Sequence, residues 1–191
     1  AVEFCERLTR RERAAGRIPA NHAYRLPGEY EWEIACRAES PGPYAGKLDA
    51  MARYGGKRTS TSVTSLAPNR WGFYDMHGNV EEWCEDVWHD NYEDAPIDGS
   101  AWLNGEDKKA SRVMRGGWCS ATENVCRSAS RRAVRADAGS REDYRGDDDD
   151  GFLAAMIEMM YTPYGFRVVC EVNPNDAEYA MNSRSLLKSL V

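Results

Sequence analysis

An α+β domain with much irregular loop is the fold class this sequence predicts, on three observations. Two segments near the start, within residues 1–14 and 29–37, repeat apolar residues at helical spacing. Two later segments, 112–115 and 165–170, are short runs of strand-forming residues beside glycines. Between them lie long stretches rich in Gly, Pro, Ser and Thr that show neither period.

The first element is an amphipathic helix over Ala1–Ala14, with Val2, Cys5 and Leu8 as its apolar stripe. Gly16 ends it and Pro19 confirms the stop. A linker follows, with a short strand at Tyr24–Leu26. Pro27-Gly28-Glu29 starts a second helix that runs to Arg37, because Pro suits a first helical position and Glu29, Glu31 and Glu33 lie towards the positive end of the dipole. Trp32, Ala35 and Cys36 form its buried stripe.

Residues 40–69 read as a long irregular connection, which a compact domain tolerates when it is pinned or functional. Trp71–Met76 reads as a strand entering a turn at His77-Gly78-Asn79. Val80, Trp83, Cys84 and Val87 then stand at helical spacing, which predicts one or two helical turns. Tyr92–Lys109 is loop, and Arg112–Arg115 is a strand running into Gly116-Gly117. Ser120–Asp150 is polar and dense in Arg, Asp, Ser and Gly. Phe152–Met160 predicts a short apolar helix, Gly165–Cys170 a strand, and residues 171–191 a C-terminal tail with a weak helical stripe.

A chain of 191 residues fits one domain and buries roughly 70 % of its unfolded surface. A formal net charge of -6, with arginines dispersed among acids, argues against a nucleic-acid partner. No apolar run approaches the roughly 18 residues a membrane span needs. The sequence shows no signal-peptide pattern, and cytoplasmic and cell-surface locations of bacterial type both fit it. Six cysteines include no CxxC pair, which argues against a zinc ribbon and for buried free thiols.

Five blocks stand in a specific order: Arg25–Glu33 (RLPGEYEWE), Asn69–Trp83 (NRWGFYDMHGNVEEW), Arg112–Gly117 (RVMRGG), Cys126–Ala129 (CRSA) and Gly165–Val168 (GFRV). Together they make residues 1–170 resemble the sulfatase-modifying-factor family, whose founding activity is the formylglycine-generating enzyme. The resemblance implies a C-type-lectin-like fold. It also implies further strand and loop before the helix that opens here, so a truncated or processed N-terminus is expected. Residues 147–164 look like an insertion relative to the family.

The resemblance implies a structural calcium site at the glycine turn, with the Asp75 and Glu82 side chains and the Gly78 and Val80 carbonyls as ligands. The residue types agree in kind, since calcium takes oxygens from carboxylates and turn carbonyls. Without an ion, the same acids form a solvated turn.

Catalytic relatives use two thiols after the Gly-Gly pair to bind copper(I), activate dioxygen and convert a substrate cysteine to formylglycine. Thiolates suit copper(I). The pattern needs thiols four and nine residues after the second glycine. Cys126 fills the ninth position, but Ala121 stands at the fourth and the nearby Cys119 is displaced. Copper therefore enters only if the chain is an oxidase, with Cys126 and Cys119 as its thiols.

The favoured reading is a non-catalytic domain with a protein- or small-ligand-binding surface over residues 118–145, the oxidase being the alternative. Its candidates are Trp118, Ser120, Thr122, Arg127, Arg131, Arg132, Arg135, Arg141 and Tyr144, since arginine and aromatic residues on scaffolded loops are the usual anchors of recognition. The region resembles, more loosely, the variable segment of retroelement-diversified proteins of the same fold. A third reading is a regulatory domain of a larger multidomain protein.

Overall fold

The computed structural model describes residues 1–57, 59–103, 110–135 and 163–172. The chain forms two compact units, Ala1–Leu26 with Arg167–Val191, and Pro27–Phe166.

In the first unit, helix α1 spans Val2–Ala14 and lies beside strand β1, His22–Arg25. Its buried residues are Cys5, Thr9 and Glu12, so the inward stripe is shifted from the apolar one and Val2 is exposed. Thr9 explains the shift. Its hydroxyl donates to the Cys5 carbonyl (2.9 Å) and accepts the Tyr24 N–H (2.8 Å), so a polar residue joins helix to strand. Glu12 accepts from Arg11 and Arg17, and these guanidiniums hold its carboxyl down at about 2. β1 pairs antiparallel with β8, Val169–Val172, and Arg25 meets Glu171 at 2.7 Å.

The second unit begins with helix α2, Glu29–Arg37. Its N-cap, Gly28, has no side chain to offer, and the orphan amides at the helix start are served from elsewhere. Glu31 accepts the Gly28 N–H (2.9 Å), and Asp86, distant in sequence, accepts the Glu29 N–H (2.7 Å). A short helix α3, Leu48–Met51, leads into β2, Ala52–Arg53, which pairs in parallel with β3, His77–Gly78.

The main sheet has strand order β6-β5-β4-β7. β4 is Glu81–Val87, β5 Ser111–Arg115, β6 Arg131–Arg135 and β7 Tyr164–Gly165. β4 pairs antiparallel with β5 through a bulge between Trp83 and Val87, and in parallel with β7. Trp32 and Cys36 of α2 pack with Met76, Cys84 and Val113 to form the core.

Several expected elements are corrected. Residues 80–87 are strand rather than helical turns. Their helical spacing is accidental: the buried positions of β4 include Glu82 and Asp86, acids that a hydrophobic pattern places outside. Trp71–Met76 is irregular rather than strand. Asn69 folds the segment back by accepting the Trp71 and Phe73 N–H groups while its amide donates to the Ala35 and Cys36 carbonyls. The 165–170 strand is two, β7 and β8, separated at residues 166–168. The expected helix at 152–160, the bulk of the 147–164 insertion and the tail after residue 172 lie outside the described residues.

Candidate functional site

The loops after Gly117 rest on a buried polar hub around His77 and Asn79. Cys126 ends a 3-10 turn over Glu123–Cys126, is fully buried, and its carbonyl accepts the Nδ1–H of His77 (2.8 Å). The other ring nitrogen, Nε2, accepts the Ala45 N–H (3.1 Å). A carbonyl only accepts and an amide only donates, so both bonds require the neutral Nδ1–H tautomer. Burial lowers the imidazole pKa in the same sense. With both nitrogens occupied, His77 is no base for the Cys36 thiol, although Sγ lies 3.7 Å from Nε2. Asn79 holds the other side. Its side chain bonds both the N–H and the carbonyl of Thr61, and its own carbonyl accepts the Cys119 N–H (3.1 Å). The Gly55 and Lys57 N–H groups reach the Ala121 and Cys119 carbonyls, so the 118–121 loop is fixed from two directions.

The thiols fit a copper pair poorly. Ala121 is buried and carries no sulfur. Cys126 is sealed beneath Gly117, where an added Cβ would lie 2.9 Å from its Sγ. Burial pushes the Cys126 thiol up to about 12, which disfavours the thiolate a soft metal needs. Cys119 is buried as well, and none of the six cysteines is joined in a disulfide among the described residues.

The expected ligand-facing residues divide into two groups. Trp118 and Ser120 are half-buried, whereas Thr122, Arg127 and Arg135 are exposed. Arg131 and Arg132 are committed internally. Adjacent residues on β6 point to opposite faces, and each guanidinium meets a carboxylate on its own side. Arg131 bonds both oxygens of Glu29 (2.6 and 2.8 Å) and lies between the Trp88 and Tyr92 rings, 4.4 Å from each centroid. Arg132 bonds Glu81 and lies over Trp118 and Tyr164. Arg141 and Tyr144 lie outside the described residues. Glu29, the carboxylate that holds Arg131, is legible in the sequence only as a helix-dipole partner, and its one further signal is its place on the tryptophan-bearing face of a short helix.

At the glycine turn, Asp75 is buried with a positive φ of 57°. Its Oδ2 accepts the Thr64 N–H (2.8 Å), while Oδ1 has no hydrogen-bond partner among the described residues. That orphaned carboxylate oxygen fits a cation. Glu82 accepts the indole N–H of Trp32 (2.7 Å) through one oxygen. Among the described residues no three His, Cys, Asp or Glu side chains gather into a metal cluster, so an ion here would rest on one or two carboxylates and turn carbonyls. No helix among them is long and apolar enough to cross a membrane.

The sulfatase-modifying factor enzyme 1-like domain matches residues 1–146. The chain is 35 % identical over 111 residues to the serine/threonine-protein kinase Pkn1 of Chlamydia trachomatis, covering 56 % of this chain and 18 % of that protein. It is 29 % identical over 122 residues to the formylglycine-generating enzyme of Thermomonospora curvata, covering 53 % of this chain and 40 % of the enzyme. It thus spans less than half the length of either relative. Among solved structures, PvdO from Pseudomonas aeruginosa superposes with a TM-score of 0.60 at 32 % identity, over 70 % of this chain and 52 % of that one. Treponema denticola variable protein 1 does so with a TM-score of 0.52 at 30 % identity, over 59 % and 42 %. Both likenesses are to the fold described above.

Proposed function

The chain belongs to the sulfatase-modifying factor enzyme 1-like family, and on that footing we propose that it is a non-catalytic domain that binds a protein or small ligand through the surface following Gly117. The observation that carries this reading is Ala121, a buried alanine at the position where a copper oxidase of this family needs its second thiol. The sealed, high-pKa thiol of Cys126 supports it. Trp118, Ser120, Thr122, Arg127 and Arg135 form the contact surface within the described residues, held on a backbone pinned by Asn79 and Gly55. The likeness to variable protein 1 supports diversification of this segment by a retroelement. Such a gene would lie near a reverse transcriptase and an adenine-rich copy of the segment.

The competing reading is a copper-dependent oxidase that forms formylglycine, supported by the similarity to the Thermomonospora enzyme. Copper(I) titration and an aldehyde assay on a cysteine-containing peptide separate the two. The expected result is no stoichiometric copper and no aldehyde. Stoichiometric copper that disappears in Cys126→Ser would overturn the binding assignment. A regulatory role within a larger protein is supported by the match to a limited part of Pkn1. The full reading frame tests it, since a protein ending at this domain's limits would remove that reading.

We further propose that calcium occupies the glycine turn, held by the Asp75 and Glu82 side chains and the Gly78 and Val80 carbonyls. It would neutralise buried carboxylate charge and lock the turn. Saturating calcium at about 100 times its Kd is expected to stabilise the fold by about 2.7 kcal/mol. That gain should disappear in Asp75→Asn. A thermal midpoint indifferent to calcium and chelator would sink the proposal.

A further inference from the structure

Away from the glycine turn and the loops after Gly117, α2 and the 92–102 loop enclose a cavity of about 400 Å³. Its walls are apolar: Ile34 from the helix, Val87 from β4, and Pro96 and Trp102 from the loop. Trp102 is held rigidly, because His89 stacks on it at 3.5 Å with planes 4° apart. A wall fixed in this way costs a ligand little ordering. The volume falls within the range of small-molecule sites.

Three carboxylates and one guanidinium, Arg37, line this apolar space, and the carboxylates are not equivalent. Glu29 is held by Arg131, and Glu33 by Arg37 (2.7 Å) and Arg115. Asp86 differs. It is buried, and its partners among the described residues are backbone N–H groups, including those of Glu29 (2.7 Å) and Trp102 (2.9 Å). Burial raises its pKa even though those bonds lower it. A buried carboxylate beside apolar space is stabilised most by a cation brought in on an apolar body. An anion would meet three carboxylates against one lining guanidinium, Arg37, which Glu33 already engages, and a neutral apolar group would bring no charge to Asp86.

We infer that this cavity binds an amphipathic amine, its ammonium at Asp86 and its apolar or aromatic body against Ile34, Pro96 and Trp102. None of these residues takes part in the surface after Gly117, so the site stands whether or not that surface is the recognition face.

Three probes of one size test it by calorimetry on the intact chain: phenethylamine, 2-phenylethanol and phenylacetate. The amine should bind at least about tenfold more tightly than the alcohol, and phenylacetate should show no saturable binding. Asp86→Asn should erase the preference for the amine. Because Asp86 also caps α2, Ile34→Lys is the second variant. Ile34 is part-exposed, and a lysine there puts a competing ammonium at the cavity wall. It should weaken the amine at least about tenfold with little change in unfolding midpoint. Absence of saturable amine binding, equal binding of amine and alcohol, or an Ile34→Lys chain that binds the amine like the parent would each overturn the inference.

Discussion

Replacing Arg115 by leucine is expected to destabilise the chain by about 3–5 kcal/mol, the usual cost of breaking a buried ion pair from one side. Arg115 has no exposed side-chain surface. Its guanidinium bonds Glu33, donates to the Ser130 carbonyl (2.6 Å), lies 3.6 Å from Glu29 and rests 5.3 Å from the Trp32 ring centre. It belongs to a cluster in which Glu29 and Glu33 meet Arg37, Arg115 and Arg131. Leucine removes the one guanidinium shared by both glutamates and leaves Glu33 to Arg37 and Glu29 to Arg131. The loss should fall towards the lower end of that range, because Glu33 keeps Arg37 and is partly solvated. Arg115→Lys keeps the charge but loses the planar fork, and should recover only part of the stability. The pair Arg7–Glu3 supplies the contrast. It is 3.9 Å apart with both side chains largely exposed, and Arg7→Ala should change stability by less than about 1 kcal/mol. Urea unfolding followed by tryptophan fluorescence measures all three. A loss below about 1 kcal/mol for Arg115→Leu would show that the cluster does not stabilise the fold as described.

This cluster also marks where the sequence was hard to read. The helices were legible because Trp32 and Cys36 recur at helical spacing on a short segment with a clear start. β5 was legible because Val113 and Met114 are apolar and fully buried. β6 was not. Arg131 to Arg135 looks like a solvated loop, and it is a strand because its arginines find buried carboxylates and aromatic faces contributed by α2, β4 and the 88–92 segment. β4 was hidden for the mirror-image reason, since Glu82 and Asp86 are inward residues satisfied by an indole N–H and by backbone amides. Polar residues buried in exchange for distant partners leave no periodic trace in one sequence. The family blocks were legible because their order and composition are specific. Which of their arginines serve the fold and which face a ligand depends on contacts between residues as much as 102 positions apart.

The second large effect is expected at Gly78, and it links the fold to the candidate surface. Gly78 has φ +73°, and a Cβ there would lie 2.2 Å from the Arg53 carbonyl oxygen. β2 and β3 pair at this point, Arg53 with Gly78, and the next residue completes the contact as the Asn79 N–H donates to the same carbonyl (2.8 Å). Gly78→Ala therefore carries both a left-handed backbone penalty of roughly 1–2 kcal/mol and an overpacking cost of roughly 1–3 kcal/mol. The obstructing atom is backbone, so no side chain can swing aside. The total should be about 3 kcal/mol. The effect should also spread: displacing Asn79 disturbs its bonds to Thr61 and to the Cys119 N–H, and with them the 118–121 loop. Hydrogen exchange should show faster exchange at the Cys119, Gly55 and Lys57 amides in Gly78→Ala than in a variant of equal global stability altered elsewhere. Equal exchange at those three amides would mean that the β2–β3 contact does not hold the loop, and the proposed recognition surface would lose its fixed support.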